Sequence, residues 1–143
     1  MTLDELAARE SIRDLVARYN QNGDSGRIDA MLALFAEDAV MEVVPDEVYH
    51  GVDAIRAFMS GVTETGGIRA LRHFTATHQI DLHSPDEASG RSYYVVFTDR
   101  GLDHWGRYVD GYRRVEGRWR FASRRVSIDG TTPGGWAERR RTG

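Results

Sequence analysis

Four stretches in the C-terminal half limit what this chain can fold into. They are "ALRHFTATHQIDL" (70–82), "ASGRSYYVVFTDR" (88–100), "WGRYVDGYRRVEG" (105–117) and "RWRFASRRVSID" (118–129). Each is rich in β-branched and aromatic residues, which fit a pleated, half-buried surface. The turn-forming groups "SPDE", "RGLD" and "VEGR" separate them. That spacing predicts consecutive antiparallel hairpins. Such a sheet must bury one face against another layer.

The first half of the chain can provide that layer. Thr2 and Glu5 have capping-box spacing. Leu3, Leu6, Ile12, Leu15, Val16 and Tyr19 then recur near helical spacing, so residues 3–20 read as an amphipathic helix. Gly23 and Gly26 break it. "DAMLALFAED" (29–38) reads as a second helix, "AVMEVV" as a short strand ended by Pro45, and "YHGVDAIRAFMSGV" as a third helix opening near Gly51. Helices followed by a meander give an α+β class. A strongly curved sheet folding over such helices encloses a cone-shaped pocket. The expected layout is one domain over residues 1–130 and a tail over 131–143.

Composition removes several kinds of chemistry. There is no cysteine, so disulfides, thiolate nucleophiles and Cys-based zinc sites are out. All 19 positive residues are arginine. Without lysine there is no Schiff base, no PLP attachment and no phosphate loop of the Walker type. The net charge of −3 argues against a basic face for nucleic acid. Arg139–Arg141 read as a solvated tail. No apolar run approaches the ~18 residues of a membrane span, and the N-terminus is charged from Asp4. A cytoplasmic protein without cofactor, metal, membrane or nucleic-acid partner is the expectation.

Some residues invite a chemical role. Asp24 sits in "RYNQNGDSGRID", where a turn former or helix cap is the simpler reading. His73 shares strand parity with Leu71 and Thr75, and His78 takes the opposite parity unless a bulge intervenes. The five-residue spacing of His73, His78 and His83 fits no local metal motif. Arg124 shares parity with Ala122, Val126 and Ile128, an apolar set. A buried arginine needs an ion-pair partner or an anionic ligand. Tyr19 fits the apolar stripe of the first helix, yet its hydroxyl can reach a pocket at the helix end. Tyr94, Phe97, Trp105 and Tyr108, with Tyr93 and Tyr112, either line an aromatic cavity or serve as ordinary strand residues.

Taken in order, "IRDLVARYNQNGDSGRIDAMLALFAEDAVMEV", "YHGVDAIRAFM", "LRHFTATHQIDL" and "GRYVDGYRRVEGRWRFASRRV" resemble the SnoaL-like branch of the nuclear transport factor 2-like superfamily. The pattern is Y-x(4)-D, L-F-x-x-D-A, G-x-x-A-I, a strand histidine, and G-x-Y-x(3)-Y-x(4)-G-x-W, across residues 5–129. The resemblance implies an α+β cone, often a homodimer packed through the outer sheet face. Its scytalone dehydratase and hexachlorocyclohexane dehydrochlorinase branches pair an Asp at the end of the first helix with a strand His. Those positions fall on Asp24 and His73. The dehydrochlorinase arginine falls on Arg124 and its lysine on Tyr19. The bile acid 7α-dehydratase branch has a Tyr and an Asp at the spacing of Tyr19 and Asp24. Other elements are not kept. A second histidine of scytalone dehydratase falls near Thr98, its Ser and Asn fall near Gly106 and Tyr108, and an acidic residue of the bile acid enzymes falls near Val96.

The resemblance implies a cofactor-independent dehydratase, isomerase or cyclase acting on a small hydrophobic, cyclic or polyketide-like molecule. Imidazole titrates near ~6.5, so a neutral base is available at pH 7. Asp24 would orient His73, Tyr19 would hydrogen-bond or protonate substrate oxygen, and Arg124 would stabilise a developing anion. Two other roles remain open on the same fold: a non-catalytic binder of an apolar ligand, and a structural small subunit like those of ring-hydroxylating dioxygenases.

Overall fold

A computed structural model describes residues 1–62 and 70–142 of the chain. The elements run α1 (Leu3–Asp24), α2 (Ile28–Leu32), β1 (Phe35–Val43), β2 (Glu47–His50), α3 (Val52–Val62), β3 (Leu71–Ser84), β4 (Glu87–Thr98), β5 (Gly101–Val115), β6 (Arg118–Thr131) and α4 (Trp136–Thr142). The sheet order is β2-β1-β6-β5-β4-β3. β3 to β6 form the expected antiparallel meander. β1 joins it in parallel to β6, so the curved sheet is mixed and stays open.

α1 starts where its cap says it should. Thr2 Oγ1 accepts the Glu5 N–H at 3.1 Å, and Glu5 Oε2 accepts the Thr2 N–H at 2.8 Å. The two bonds satisfy backbone donors that have no helical partner. Ile12, Leu15, Val16 and Tyr19 follow at i, i+3, i+4 and i+7 and are buried against the inner sheet face. The helix continues past residue 20 and takes in Gly23 and Asp24.

The second helix is shorter than its pattern suggests. It stops at Leu32, and Phe35–Asp38 belong to β1. The Phe121 N–H donates to the Leu34 carbonyl at 2.9 Å, and Phe35 registers with Phe121. Pairing with β6 therefore overrides local helix preference here. The C-terminal segment also differs from the expected tail. β6 runs on to Thr131, and α4 packs against β5. Gly143, the last residue of that tail, lies outside the described residues.

Bulges decide which strand residues face inward. In β3, Thr77 and His78 oppose the single residue Ser92, and Thr77 takes a left-handed φ of 55°. The extra residue reverses parity. His73 and His78 consequently face the same side. In β6, Ala122 is the extra residue between the Tyr112–Phe121 and Gly111–Ser123 pairs, which turns both Phe121 and Arg124 inward. In β5, Asp103 is the extra residue between the pairs of Val96 with His104 and Phe97 with Leu102. Asp103 and His104, adjacent in sequence, are both buried.

Candidate functional site

The end of α1 is fastened to β3 at two matched points. Asn20 Nδ2 donates to Thr75 Oγ1 at 2.7 Å. Asp24 Oδ1 lies 2.6 Å from His73 Nδ1, and Asp24 Oδ2 accepts the His73 backbone N–H at 2.8 Å. Four residues along a helix advance about 6 Å, and two along a strand about 6.6 Å. The Asn20/Asp24 step on one helix face therefore meets the His73/Thr75 step on one strand face. Asp24 caps no helix. The residue before α2 is Arg27, which makes no side-chain cap bond. Both Asp24 oxygens are spent on His73.

This arrangement fixes the imidazole. A carboxylate accepts, so Nδ1 carries the hydrogen and Nε2 of the neutral ring presents a lone pair. The His73 side chain is 21% exposed and the Asp24 side chain 9%. The ring is reachable while its orienting group is covered.

Beside it lies a second pair, formed by the β5 bulge. His104 Nδ1 is 2.7 Å from Asp103 Oδ2. Asp103 Oδ1 accepts the Trp136 N–H at 2.7 Å and Oδ2 accepts the Ala137 N–H at 3.1 Å, so Asp103 also caps α4. The His73 and His104 rings stand 6.4 Å apart and perpendicular, with Tyr94 next to both at 6.1 and 5.8 Å. Tyr94 stacks on Tyr108 at 4.5 Å. Its hydroxyl donates to the Ser127 carbonyl at 3.0 Å. A β-carbon on Gly106 would lie 1.9 Å from the Ser127 carbonyl oxygen and 2.7 Å from that hydroxyl. Only glycine leaves room for this bond.

Deeper in the core, Arg124 pairs with Asp110 through Nε and Nη2, both at 2.8 Å, and neither side chain is exposed. The guanidinium lies over Tyr19, Tyr108 and Phe121 at 4.3, 3.7 and 4.5 Å from the ring centres. Burial opposes its charge, but Asp110 more than offsets that and raises its pKa above the ordinary arginine value. Tyr112 donates to Asp110 at 2.8 Å and therefore accepts from His78 Nε2 at 3.0 Å.

The residues expected from sequence thus separate into three groups. Asp24 and His73 meet, with Tyr94 and Tyr108 on the same inner face. Tyr19 and Arg124 belong to the sealed layer beneath. Arg124 is engaged by Asp110 rather than open to a substrate anion, because the bulge at Ala122 directs it into the core. Phe97 and Trp105 lie on the outer face, each 40% exposed, and do not line the concave side. The bulge at Asp103 separates Trp105 from the parity of Asp103. Asn20, Asp103, His104 and Asp110 were not singled out from sequence. "RGLD" reads as a turn, whereas β5 already starts at Gly101. A cleft of about 290 Å³ between α1 and the β5–β6 turn, edged by Asp14, Arg18, Arg118 and Arg120, is not lined by Asp24 or His73.

Burial lowers the pKa of His104, partly countered by Asp103, and burial also lowers that of His78, partly countered by Asp110. The folded state thus takes up these protons less readily than the unfolded state. Between the depressed values and ~6.5 the unfolded chain carries more protons, so stability rises with pH there. The urea midpoint should be lower at pH 5.5 than at pH 7.5. A His78→Gln/His104→Gln double variant should show a flatter change; an unchanged slope would assign the effect elsewhere.

The family model for the SnoaL-like domain matches residues 4–125, most of the chain. The chain belongs to the SnoaL-like family. A candidate scytalone dehydratase from Novosphingobium aromaticivorans is similar at 26% identity, with a TM-score of 0.84 over 92% of this chain and 91% of that one. A hexachlorocyclohexane dehydrochlorinase from Novosphingobium barchaimii shares the fold at 20% identity and TM-score 0.78, covering 91% and 92%. A Nostoc punctiforme protein of unknown function with a cystatin-like fold shares it at 24% identity and TM-score 0.79, covering 87% and 93%. No curated protein matches the sequence. An NTF2-like protein with a cystatin-like fold from Novosphingobium aromaticivorans matches at 28% identity and TM-score 0.73, covering 92% and 94%, so the fold is the nuclear transport factor 2-like one expected from the sequence pattern. Among the described residues, no helix is long and apolar enough to cross a membrane.

Proposed function

We propose that this SnoaL-like chain is a cofactor-independent lyase or isomerase in which His73 is the base and Asp24 its orienting group. The substrate is a small hydrophobic molecule, cyclic or polyketide-like. The observation that carries this reading is the double engagement of His73 by Asp24 at ring and backbone. It holds one tautomer and one ring orientation without help from substrate. His73 Nε2 accepts a proton from carbon beside a carbonyl. The electron pair left behind forms a double bond, either expelling a neighbouring leaving group or being reprotonated at another carbon. Asp24 stabilises the imidazolium formed, as the aspartate does in hydrolase triads. A positioned base contributes roughly 10²–10⁴ in rate, enough for substrates with an already acidic C–H.

The test is a panel of hydroxy-ketones and polyketide-like aromatics in deuterated water, followed by mass spectrometry. Exchange or loss of water above the protein-free rate on at least one member is expected. A panel bound but never exchanged or dehydrated would leave a binding protein instead.

The outer sheet face supports a further part of this reading: a homodimer formed through the sheet. Phe74, Tyr93, Phe97, Leu102, Trp105 and Val109 are all exposed there. So large an apolar patch is unusual on a monomer. Sedimentation velocity should give a dimer, and Tyr93→Glu/Phe97→Arg should give a folded monomer. A wild-type monomer at tens of micromolar would dismiss the dimer.

A further inference from the structure

His73, Val96 and His104 form one row across β3, β4 and β5, since His73 registers with Val96 and Val96 with His104. Adjacent strands lie about 4.8 Å apart, so the two histidine backbones are separated by about 10 Å. Their rings close that gap to 6.4 Å over the short side chain of Val96. Both rings therefore lean toward the same space.

Hydrogen bonding fixes what each ring presents there. The Asp103 carboxylate takes two backbone N–H groups from the start of α4, and its Oδ2 faces His104 Nδ1. As an acceptor it requires Nδ1–H on His104 and leaves Nε2 with a lone pair in the neutral ring. Asp24 imposes the same tautomer on His73. Neither Nε2 has a hydrogen-bond partner among the described residues, and neither is a fully enclosed orphan. The site thus offers two imidazole lone pairs, one on each side of Val96.

We propose that His104 Nε2 is a second ligand-binding atom of this site, accepting a hydrogen bond from a hydroxyl of the molecule on which His73 acts. Asp103 is its positioning residue, and α4 positions Asp103. The inference rests on the reading of the His73 surface as the ligand site. It narrows the ligand to molecules with a hydroxyl donor near the acidic C–H. A methyl ether of the same skeleton lacks the donor and leaves a buried acceptor unpaired. Such a mismatch weakens binding by roughly tenfold to a hundredfold.

Resorcinol and 1,3-dimethoxybenzene can serve as probes, titrated into the full chain with ¹⁵N-labelled histidine. Before any probe is added, the nitrogen shifts should report the Nδ1–H tautomer at His104, a measurement that needs no variant. Resorcinol should move the His104 Nε2 resonance and bind at least tenfold tighter than its dimethyl ether. His104→Phe should erase that preference while the His73 resonances still respond. Asp103→Asn should return His104 to a mixture of tautomers. An Nε2–H tautomer in the wild type, equal binding of both probes, or a preference surviving His104→Phe would overturn the inference. Probes that perturb neither histidine would remove the ligand site along with it. A preference erased by His104→Phe in a protein that turns nothing over would uphold His104 and sink only the catalytic reading.

Discussion

Truncating Arg124 to alanine should lower the unfolding free energy by about 3–5 kcal/mol, the range expected when one member of a buried ion pair is removed. The variant keeps the Asp110 carboxylate at zero exposure with no counter-charge and only the Tyr112 hydroxyl beside it. It also removes the planar cation that Tyr19, Tyr108 and Phe121 pack around. A domain of this size is stable by about 5–15 kcal/mol in total, so a large share of that would go. Asp110→Ala should be similarly damaging, since it strands the guanidinium. The paired replacement Arg124→Met/Asp110→Leu should recover most of the loss, because neither charge then has to be desolvated. Urea unfolding of the two alanine singles and of the paired replacement makes the comparison. A loss under about 1 kcal/mol for Arg124→Ala, read against the usual range, would show that water reaches Asp110 and that the layer is not sealed.

The other large effect is catalytic. His73→Ala should reduce turnover by about 10²–10⁴, the usual contribution of a positioned base. Asp24→Asn should fall in the same direction while keeping the fold. Asn can accept only one of the two His73 N–H groups and turns its NH2 toward the other, and it brings no negative charge to meet the imidazolium. Asn20→Ala serves as the control for placement. It releases the Thr75 tie without touching His73, so it should disturb the end of α1 less than Asp24→Ala does. Circular dichroism and urea midpoints near wild type must accompany each rate. Folded His73→Ala and Asp24→Asn proteins with wild-type turnover would end the base assignment.

How much of this could be read from the chain depends on whether a residue's direction is set locally. The α1 stripe from Ile12 to Tyr19 is local, since 3.6-residue periodicity and the Thr2/Glu5 cap suffice. The meander is nearly as legible, because its strands and turns alternate in composition. The encounter of Asp24 with His73 came through the family pattern; spacing alone favours a turn residue. Parity failed wherever a bulge intervened. Counting alternate residues puts His78 opposite His73, and puts Phe121 opposite Arg124. A single extra residue in each strand undoes both inferences. Bulges depend on pairing with a neighbouring strand, and that information is not carried within the seven or eight residues being counted. His104 was missed for the same reason. Beside a turn-like "RGLD", its ring has no apparent partner until Asp103 bulges inward and α4 returns to hold it.

The bulge at Thr77 also bears on which genetic lesions this strand tolerates. Thr77 is exposed, and many substitutions there would be absorbed at its surface if the new residue accepts a left-handed backbone. Its deletion removes the bulge and leaves His73 and His78 four residues apart, an even spacing that keeps both on one face under strict alternation. What such a loss takes away is the extra twist and bend that a bulge lends its strand. Loss of the Thr77 triplet should therefore be tolerated among functional variants, whereas loss of a triplet at a regular position of β4 would reverse every side chain beyond it.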